Sequence, residues 1–97
     1  MEIKTRTEGD KLIFAVSGRV DTVTAPELEA GLKFADATCV VLDLADVPYM
    51  SSAGLRVLLS SHKTMAGRGG EFQIANVQPP VKEVLDITGF SSILNLI

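Results

Sequence analysis

The sequence predicts an α/β fold in which helices pack on a mixed β-sheet. Two short segments of alternating apolar and polar residues open the chain, and segments of helical period then alternate with apolar strand segments. The predicted order is therefore β-β-α-β-α-β-α-β, a hairpin followed by crossover units. A chain of 97 residues has the length of one domain with a modest core, and we assign residues 1–97 to that domain.

The opening hairpin is predicted to comprise residues 2–8 and 11–17, which flank a Gly-Asp pair. Glycine and aspartate are typical of tight turns, so the chain is expected to reverse between the two strands. Side chains alternate between the faces of a strand, which places Leu12, Phe14 and Val16 together on one face.

The first helix is predicted to begin near Thr24. The segment Thr24-Ala-Pro-Glu27 has the S/T-x-x-E pattern of a capping box, with proline in the first turn, where it is tolerated. Leu28, Leu32 and Ala35 follow at positions i, i+4 and i+7, so they are expected to form the apolar face of this helix.

The middle of the chain predicts a central strand and a longer helix. The segment from Cys39 to Leu44 is almost continuously apolar, which is typical of a strand covered on both faces. A helix is predicted from about Ser52 to Met65, and the glycine-rich segment that follows ends it. Its expected inner stripe consists of Leu55, Leu58, Leu59, His62 and Met65.

The last part of the chain predicts a strand, a short helix and a final strand. The strand covers residues 71–76, with Phe72 and Ile74 facing one way. The helix opens at a proline pair and runs to about Ile87, and residues 93–97 form the last strand.

Composition excludes several classes of function. The formal charge of −3 provides no basic face, so no nucleic-acid partner is expected. No apolar run approaches the ~18 residues that span a bilayer, so no membrane insertion is expected. The polar start lacks the apolar stretch of a signal peptide, which predicts a cytoplasmic protein. One cysteine and one histidine give no basis for a disulfide, a metal site or a cofactor.

The segment from Val40 to Leu59 carries the most functional information. A buried strand leads through a short loop to Ser51 and Ser52 at the start of a helix. Serine is favoured there as an N-cap, because its side-chain oxygen accepts a free backbone N–H. A phosphoryl group on the serine is the other interpretation, since helix N-termini stabilise anions. The pattern alone leaves both interpretations open.

Enzymatic interpretations find less support. A serine between a strand and a helix is typical of some hydrolases, but Met50 occupies the place of the first glycine of their G-x-S-x-G motif. His62 lies about 15 Å along the helix from Ser52, too far for a catalytic pair. Three aspartates near strand ends could cluster as in a response regulator, although turn chemistry explains two of them equally well. These aspartates are Asp21, Asp43 and Asp46. We therefore predict no enzyme activity.

Three segments carry a resemblance to a known family. They are Gly18-Arg-Val-Asp21 with Thr24-Ala-Pro-Glu27, the stretch from Val41 through Met50-Ser-Ser-Ala-Gly-Leu55, and Gly69-Gly70 with the stretch from Val81 to Phe90. With these segments the chain resembles the STAS family, and within it the bacterial anti-sigma factor antagonists. The middle segment, similar to the phosphorylation segment of that family, is the most specific. The likeness covers nearly the whole chain and implies the STAS-like fold.

The resemblance implies a phospho-regulated partner switch. In that family an anti-sigma factor, which is also a serine kinase of the histidine-kinase ATPase fold, binds the unphosphorylated antagonist and frees its sigma factor. The kinase then phosphorylates a serine of the antagonist, and a serine phosphatase resets it. The motif places the acceptor at Ser52, because Gly54 and Leu55 match the residues that follow it. The partner-binding residues are expected to be Asp21, Met50, Ser51, Ser52, Gly54 and Arg56.

Two features depart from the family pattern. Many antagonists have aspartate before the acceptor, whereas this chain has Ser51, which makes Ser51 the alternative acceptor. The family also usually continues into a C-terminal helix, and without that helix part of the sheet is expected to be exposed, which favours a homodimer. The alternative function is a STAS subunit that binds an ABC transporter ATPase in lipid transport without being phosphorylated.

Overall fold

The computed structural model describes residues 1–97 and contains the predicted elements in the predicted order. A short 3₁₀ turn at Phe90–Ser92 precedes the last strand. The elements are β1 (Glu2–Glu8), β2 (Lys11–Ser17), α1 (Ala25–Gly31), β3 (Cys39–Asp46), α2 (Ser52–Gly67), β4 (Glu71–Ala75), α3 (Pro79–Ile87) and β5 (Asn95–Leu96). None of the helices has the length and apolar character needed to cross a membrane.

The five strands form one mixed sheet whose order follows the chain, β1-β2-β3-β4-β5. β1 is antiparallel to β2, and every later neighbour is parallel. Each parallel connection therefore steps to the adjacent strand in the same direction. Because such crossovers are almost always right-handed, α1, α2 and α3 all lie on one face of the sheet.

The core lies between this face and the helices. The predicted inward positions Phe14 and Val16 are buried, Leu12 packs half-buried at the edge, and Phe72 and Ile74 are both buried. The main buried contributions from the three helices come from Leu28, Leu55, Leu58, Met65, Val81 and Leu85. At roughly 1.5–3 kcal/mol for each large apolar side chain, this interface is the main source of the fold's stability.

The opposite face of the sheet differs from the prediction. Ile13, Cys39 and Val41 are buried there but do not join the core that the helices cover. The prediction that β3 is covered on both faces by other elements is therefore wrong. Burial raises the pKa of the Cys39 thiol.

The first helix is shorter than predicted and begins differently. α1 ends at Gly31, so Ala35 lies outside it with a positive φ of 48°, although Leu32 remains buried. The predicted capping box of Thr24 and Glu27 is wrong, because Thr24 makes no side-chain cap at this helix. Instead Asp21 and Thr24 bond reciprocally: Asp21 accepts from the Thr24 amide at 3.0 Å, and Thr24 Oγ1 accepts from the Asp21 amide at 2.9 Å. The capping-box pattern thus occurs three residues earlier.

The inner stripe of α2 is rotated relative to the prediction. Leu55, Leu58 and Met65 are buried as expected, but Leu59 and His62 are only half-buried, and Val57 and Ser61 are buried instead. Val57 and Ser61 face grooves that α1 also lines. The rotation follows because α2 packs against both the sheet and α1.

Some ends of the later elements differ from the prediction by one or two residues. α2 continues to Gly67 rather than ending at Met65, and α3 has the predicted bounds, ending before Gly89, whose φ is 80°. The last strand is shorter than residues 93–97 because the 3₁₀ turn uses the preceding segment.

Candidate functional site

The loop between β3 and α2 is fixed to the turn after β2 by a short parallel bridge between Val20 and Met50. The Val20 amide donates to the carbonyl of Tyr49 at 3.0 Å, and the Ser51 amide donates to the carbonyl of Val20 at 2.8 Å. Val20 and Met50 are almost completely buried. The start of α2 is therefore tied to a segment thirty residues away in sequence.

Gly54 allows α2 to approach this bridge closely. A Cβ at this position would lie 2.6 Å from Met50 Cγ and 2.6 Å from Val20 Cγ1. Real Cβ atoms do not approach other carbons so closely, so a larger residue would push the helix away. Of the expected partner-binding residues, Met50 and Gly54 are therefore buried supports of the surface.

Ser51 occupies the N-cap position of α2 but does not cap it. Its backbone is extended, with φ −85° and ψ 175°, and its side chain makes no cap hydrogen bond. Ser51 Oγ is buried and has no hydrogen-bond partner. The first-turn amides of α2 thus have neither an intrahelical partner nor a side-chain cap. The N-cap interpretation does not account for Ser51.

Ser52 is the first residue of α2 and is exposed. The Ser52 hydroxyl makes no hydrogen bond to the rest of the protein. The residue lies directly after Ser51, whose backbone is anchored to Val20. Arg56 follows one turn later on the same face of the helix and is also exposed. No carboxylate lies within 4.0 Å of the Arg56 guanidinium.

Asp21 organises the neighbouring turn. Its Oδ1 accepts hydrogen bonds from the amides of Val23 and Thr24, both at 3.0 Å. These bonds hold the pKa of the Asp21 carboxyl below its usual value, and the bond from the Thr24 amide has the largest effect. Arg19 adds a 4.0 Å ion pair to Asp21 and lies 4.4 Å from the centre of the Tyr49 ring. Asp21 therefore shapes the surface that adjoins the start of α2.

Arg19 and Tyr49 were not predicted as part of this region. Arg19 directly precedes Val20 and Tyr49 directly precedes Met50, so the bridge between Val20 and Met50 brings them together. Tyr49 is 42% exposed and carries a cation over its ring, which gives the surface an aromatic and basic edge. The only signal in the sequence is that each residue lies within one of the segments that carry the family resemblance.

The remaining candidate residues do not join Ser52. Asp43 accepts from the Ala45 amide and from Asn76 Nδ2, both at 3.0 Å, and lines a shallow cleft on the uncovered sheet face together with Asp46. Asp21 is not among the residues of this cleft, so the three aspartates do not form one cluster. No group of three or more histidine, cysteine, aspartate or glutamate side chains is arranged to hold a metal ion.

Comparison with protein families supports the resemblance in the sequence. A family model described as the STAS domain matches residues 2–97. BtrV of Bordetella bronchiseptica, named as an anti-sigma factor antagonist, is 41% identical over 84% of this chain and 73% of its own length. The anti-sigma F factor antagonist of Paenibacillus polymyxa is 29% identical over 97% of this chain and 84% of its own.

Solved structures show the same fold. The unphosphorylated form of the anti-sigma factor antagonist SpoIIAA has a TM-score of 0.81 and 15% identity, covering 99% of this chain and 88% of its own. The phosphorylated form of SpoIIAA from Bacillus has a TM-score of 0.74 and 14% identity, covering 99% and 91%. An anti-sigma factor antagonist from Mycobacterium paratuberculosis has a TM-score of 0.86 and 24% identity, covering 98% and 83%.

Proposed function

The chain belongs to the STAS family, and on this premise we propose that it is an anti-sigma factor antagonist that switches partners through phosphorylation of Ser52. Unphosphorylated, it binds an anti-sigma factor and frees the sigma factor. Phosphorylated, it is released. The observation that carries the proposal is the exposed Ser52 at the head of α2, on a loop anchored by the Val20–Met50 bridge.

The chain contributes an acceptor and a docking surface, and the partner contributes the catalysis. We propose a partner serine kinase of the histidine-kinase ATPase fold that supplies ATP. The Ser52 oxygen attacks the γ-phosphorus, an O–P bond forms, and the bond from that phosphorus to the bridging oxygen of ADP breaks. The hydroxyl proton passes to a base of the kinase. A serine phosphatase then hydrolyses the phosphoserine and restores the hydroxyl group.

Charge explains why this modification would separate the partners. Phosphorylation adds about −1.5 to −2 charges at pH 7. The start of α2 tolerates this charge, since the helix dipole and the uncapped amides favour an anion there. A desolvated protein interface does not, because an unpaired buried charge costs several kcal/mol. The fold therefore survives phosphorylation while the complex does not.

The transporter-subunit alternative is not favoured, since the relatives named above are anti-sigma factor antagonists. Capture of the native partner with the tagged chain, followed by mass spectrometry, tests the proposal. An anti-sigma factor with a kinase domain is the expected partner. Because such a partner acts in the cytoplasm, we propose that this protein is cytoplasmic as well. Capture of a transporter ATPase instead would overturn it.

A further inference from the structure

Ser52 and Arg56 form an i, i+4 pair on the exposed face of α2. Side chains with this spacing are neighbours, with Cβ atoms about 5–6 Å apart. The helix contains no acidic residue, and the guanidinium of Arg56 forms none of the ion pairs in the structure. Glu29 of α1 lines the same groove as Arg56 but makes no ion pair with it. Arg56 is therefore a cation without an anion, one turn from the proposed phosphorylation site.

We propose that Arg56 binds the phosphoryl group of phosphorylated Ser52 within the same chain. This inference rests on the proposed function, since it concerns the phosphorylated state of that site. An anion on the N-terminal side of a cation at i, i+4 is the favoured orientation. The planar guanidinium also matches two phosphoryl oxygens, to which its N–H groups donate in parallel.

Other cations near Ser52 are placed less well. Lys63 lies eleven residues along α2, about 16 Å from Ser52 along the axis. Arg19 is already held over the Tyr49 ring and beside Asp21. The uncapped amides of the first turn of α2 add partial positive charge, but Arg56 is the side chain that can close on the phosphate.

This pairing gives Arg56 two states. In the unphosphorylated protein its guanidinium is free to meet a carboxylate of the partner. After phosphorylation, the phosphate group binds the guanidinium on the surface of the same helix, so the guanidinium is no longer available to the interface. Release then has two electrostatic sources, the added negative charge and the withdrawn positive charge.

The test uses full-length protein with phosphoserine inserted at position 52 during translation through an expanded genetic code. No kinase is needed, so the result does not depend on whether the proposed partner exists. The second pKa of the phosphoserine, ordinarily near 6, is followed by ³¹P NMR in the wild type, Arg56→Gln, Arg56→Lys and the control Lys63→Gln. At low salt, this pKa is expected to lie about 0.2–0.4 lower in the wild type than in Arg56→Gln, because the cation favours the dianion.

Arg56→Lys is expected to retain part of this difference, and Lys63→Gln is expected to match the wild type. Equal pKa values in the wild type and Arg56→Gln would overturn the proposal. An equal rise in Lys63→Gln would also overturn it, since the effect would then come from overall charge. Thermal melting provides a second measurement: phosphorylation should raise Tm more in the wild type than in Arg56→Gln.

Discussion

The amide of Ser51 donates a hydrogen bond of 2.8 Å to the carbonyl of Val20. This contact orders the residue directly before Ser52, although Val20 lies far away in the sequence. The proposed acceptor is thus presented from a fixed backbone rather than from a mobile loop.

The identity of the acceptor can be tested with two variants. Ser52→Ala should bind the anti-sigma factor and resist phosphorylation, whereas Ser51→Ala should still be phosphorylated, because Ser51 Oγ is buried and Ser52 is exposed. Each variant is incubated with the cognate kinase and MgATP, and the modified residue is mapped by mass spectrometry. Phosphate on Ser51 alone would contradict the assignment.

Gly54→Ala should destabilise the protein, because the added methyl group would lie 2.6 Å from Met50 and Val20. We expect a loss of about 1–3 kcal/mol in the free energy of unfolding, measured by denaturant titration. Gly67→Ala in the same helix is the matched control, since no atom lies within 4 Å of its Cβ position. That control should be neutral or stabilising by up to about 1 kcal/mol. Equal effects at both positions would mean that the close approach has no energetic weight.

Leu58→Ala should cost about 2–5 kcal/mol, since Leu58 is completely buried between α2 and the sheet. Leu42→Ala on β3 should fall in the same range, because Leu42 is equally buried. Leu59→Ala should cost clearly less, since its side chain is only half-buried. A denaturant midpoint that shifts as much for Leu59→Ala as for Leu58→Ala would contradict the packing described above.

Arg56→Glu should weaken binding to the anti-sigma factor without unfolding the domain, since the side chain is exposed and forms no ion pair. Reversing one charge at an interface is expected to reduce affinity by about tenfold at low salt, mainly through slower association. Lys63→Glu makes the same charge change farther along α2 and should have little effect. Isothermal titration at two salt concentrations measures the affinity of each variant for the anti-sigma factor. Equal losses of affinity in Arg56→Glu and Lys63→Glu would place the interface elsewhere.

Asp21 should contribute to acid sensitivity. Hydrogen bonds hold the pKa of the Asp21 carboxyl below the ordinary 3.8 in the folded protein, and the bond from the Thr24 amide has the largest effect. A lowered folded-state pKa gives stability that is present above about pH 4 and is lost as the pH falls through the folded value. The Tm of the wild type should therefore fall more steeply below pH 4 than that of Asp21→Asn. Parallel Tm curves for the two proteins would contradict this role.

Local patterns predicted the element order, the strand faces and the serines at the head of α2. Period and turn residues are local properties, which is why the bounds of α3 were predicted closely. The capping register was wrong because Asp21 and Thr24 both qualify as capping residues, and the turn after β2 decides between them. The rotation of α2 depends on where α1 packs.

The candidate site could be predicted only in part for the same reason. Ser52 and Arg56 lie within one motif and one helix. The contribution of Arg19 and Tyr49 depends on the bridge between Val20 and Met50, which no local pattern encodes. A contact between segments thirty residues apart becomes visible only when the strands are paired.

The strand order β1-β2-β3-β4-β5 also bears on how the chain folds during synthesis. Every strand pairs with the one made just before it, so no segment waits for a distant partner to leave the ribosome. The parallel partners are 22–32 residues apart, as in Leu12–Val40, Val40–Phe72 and Ile74–Leu96, and the entropy cost of closing such loops grows only slowly with their length. The growing sheet can therefore add one strand and one helix at a time as each leaves the ribosome.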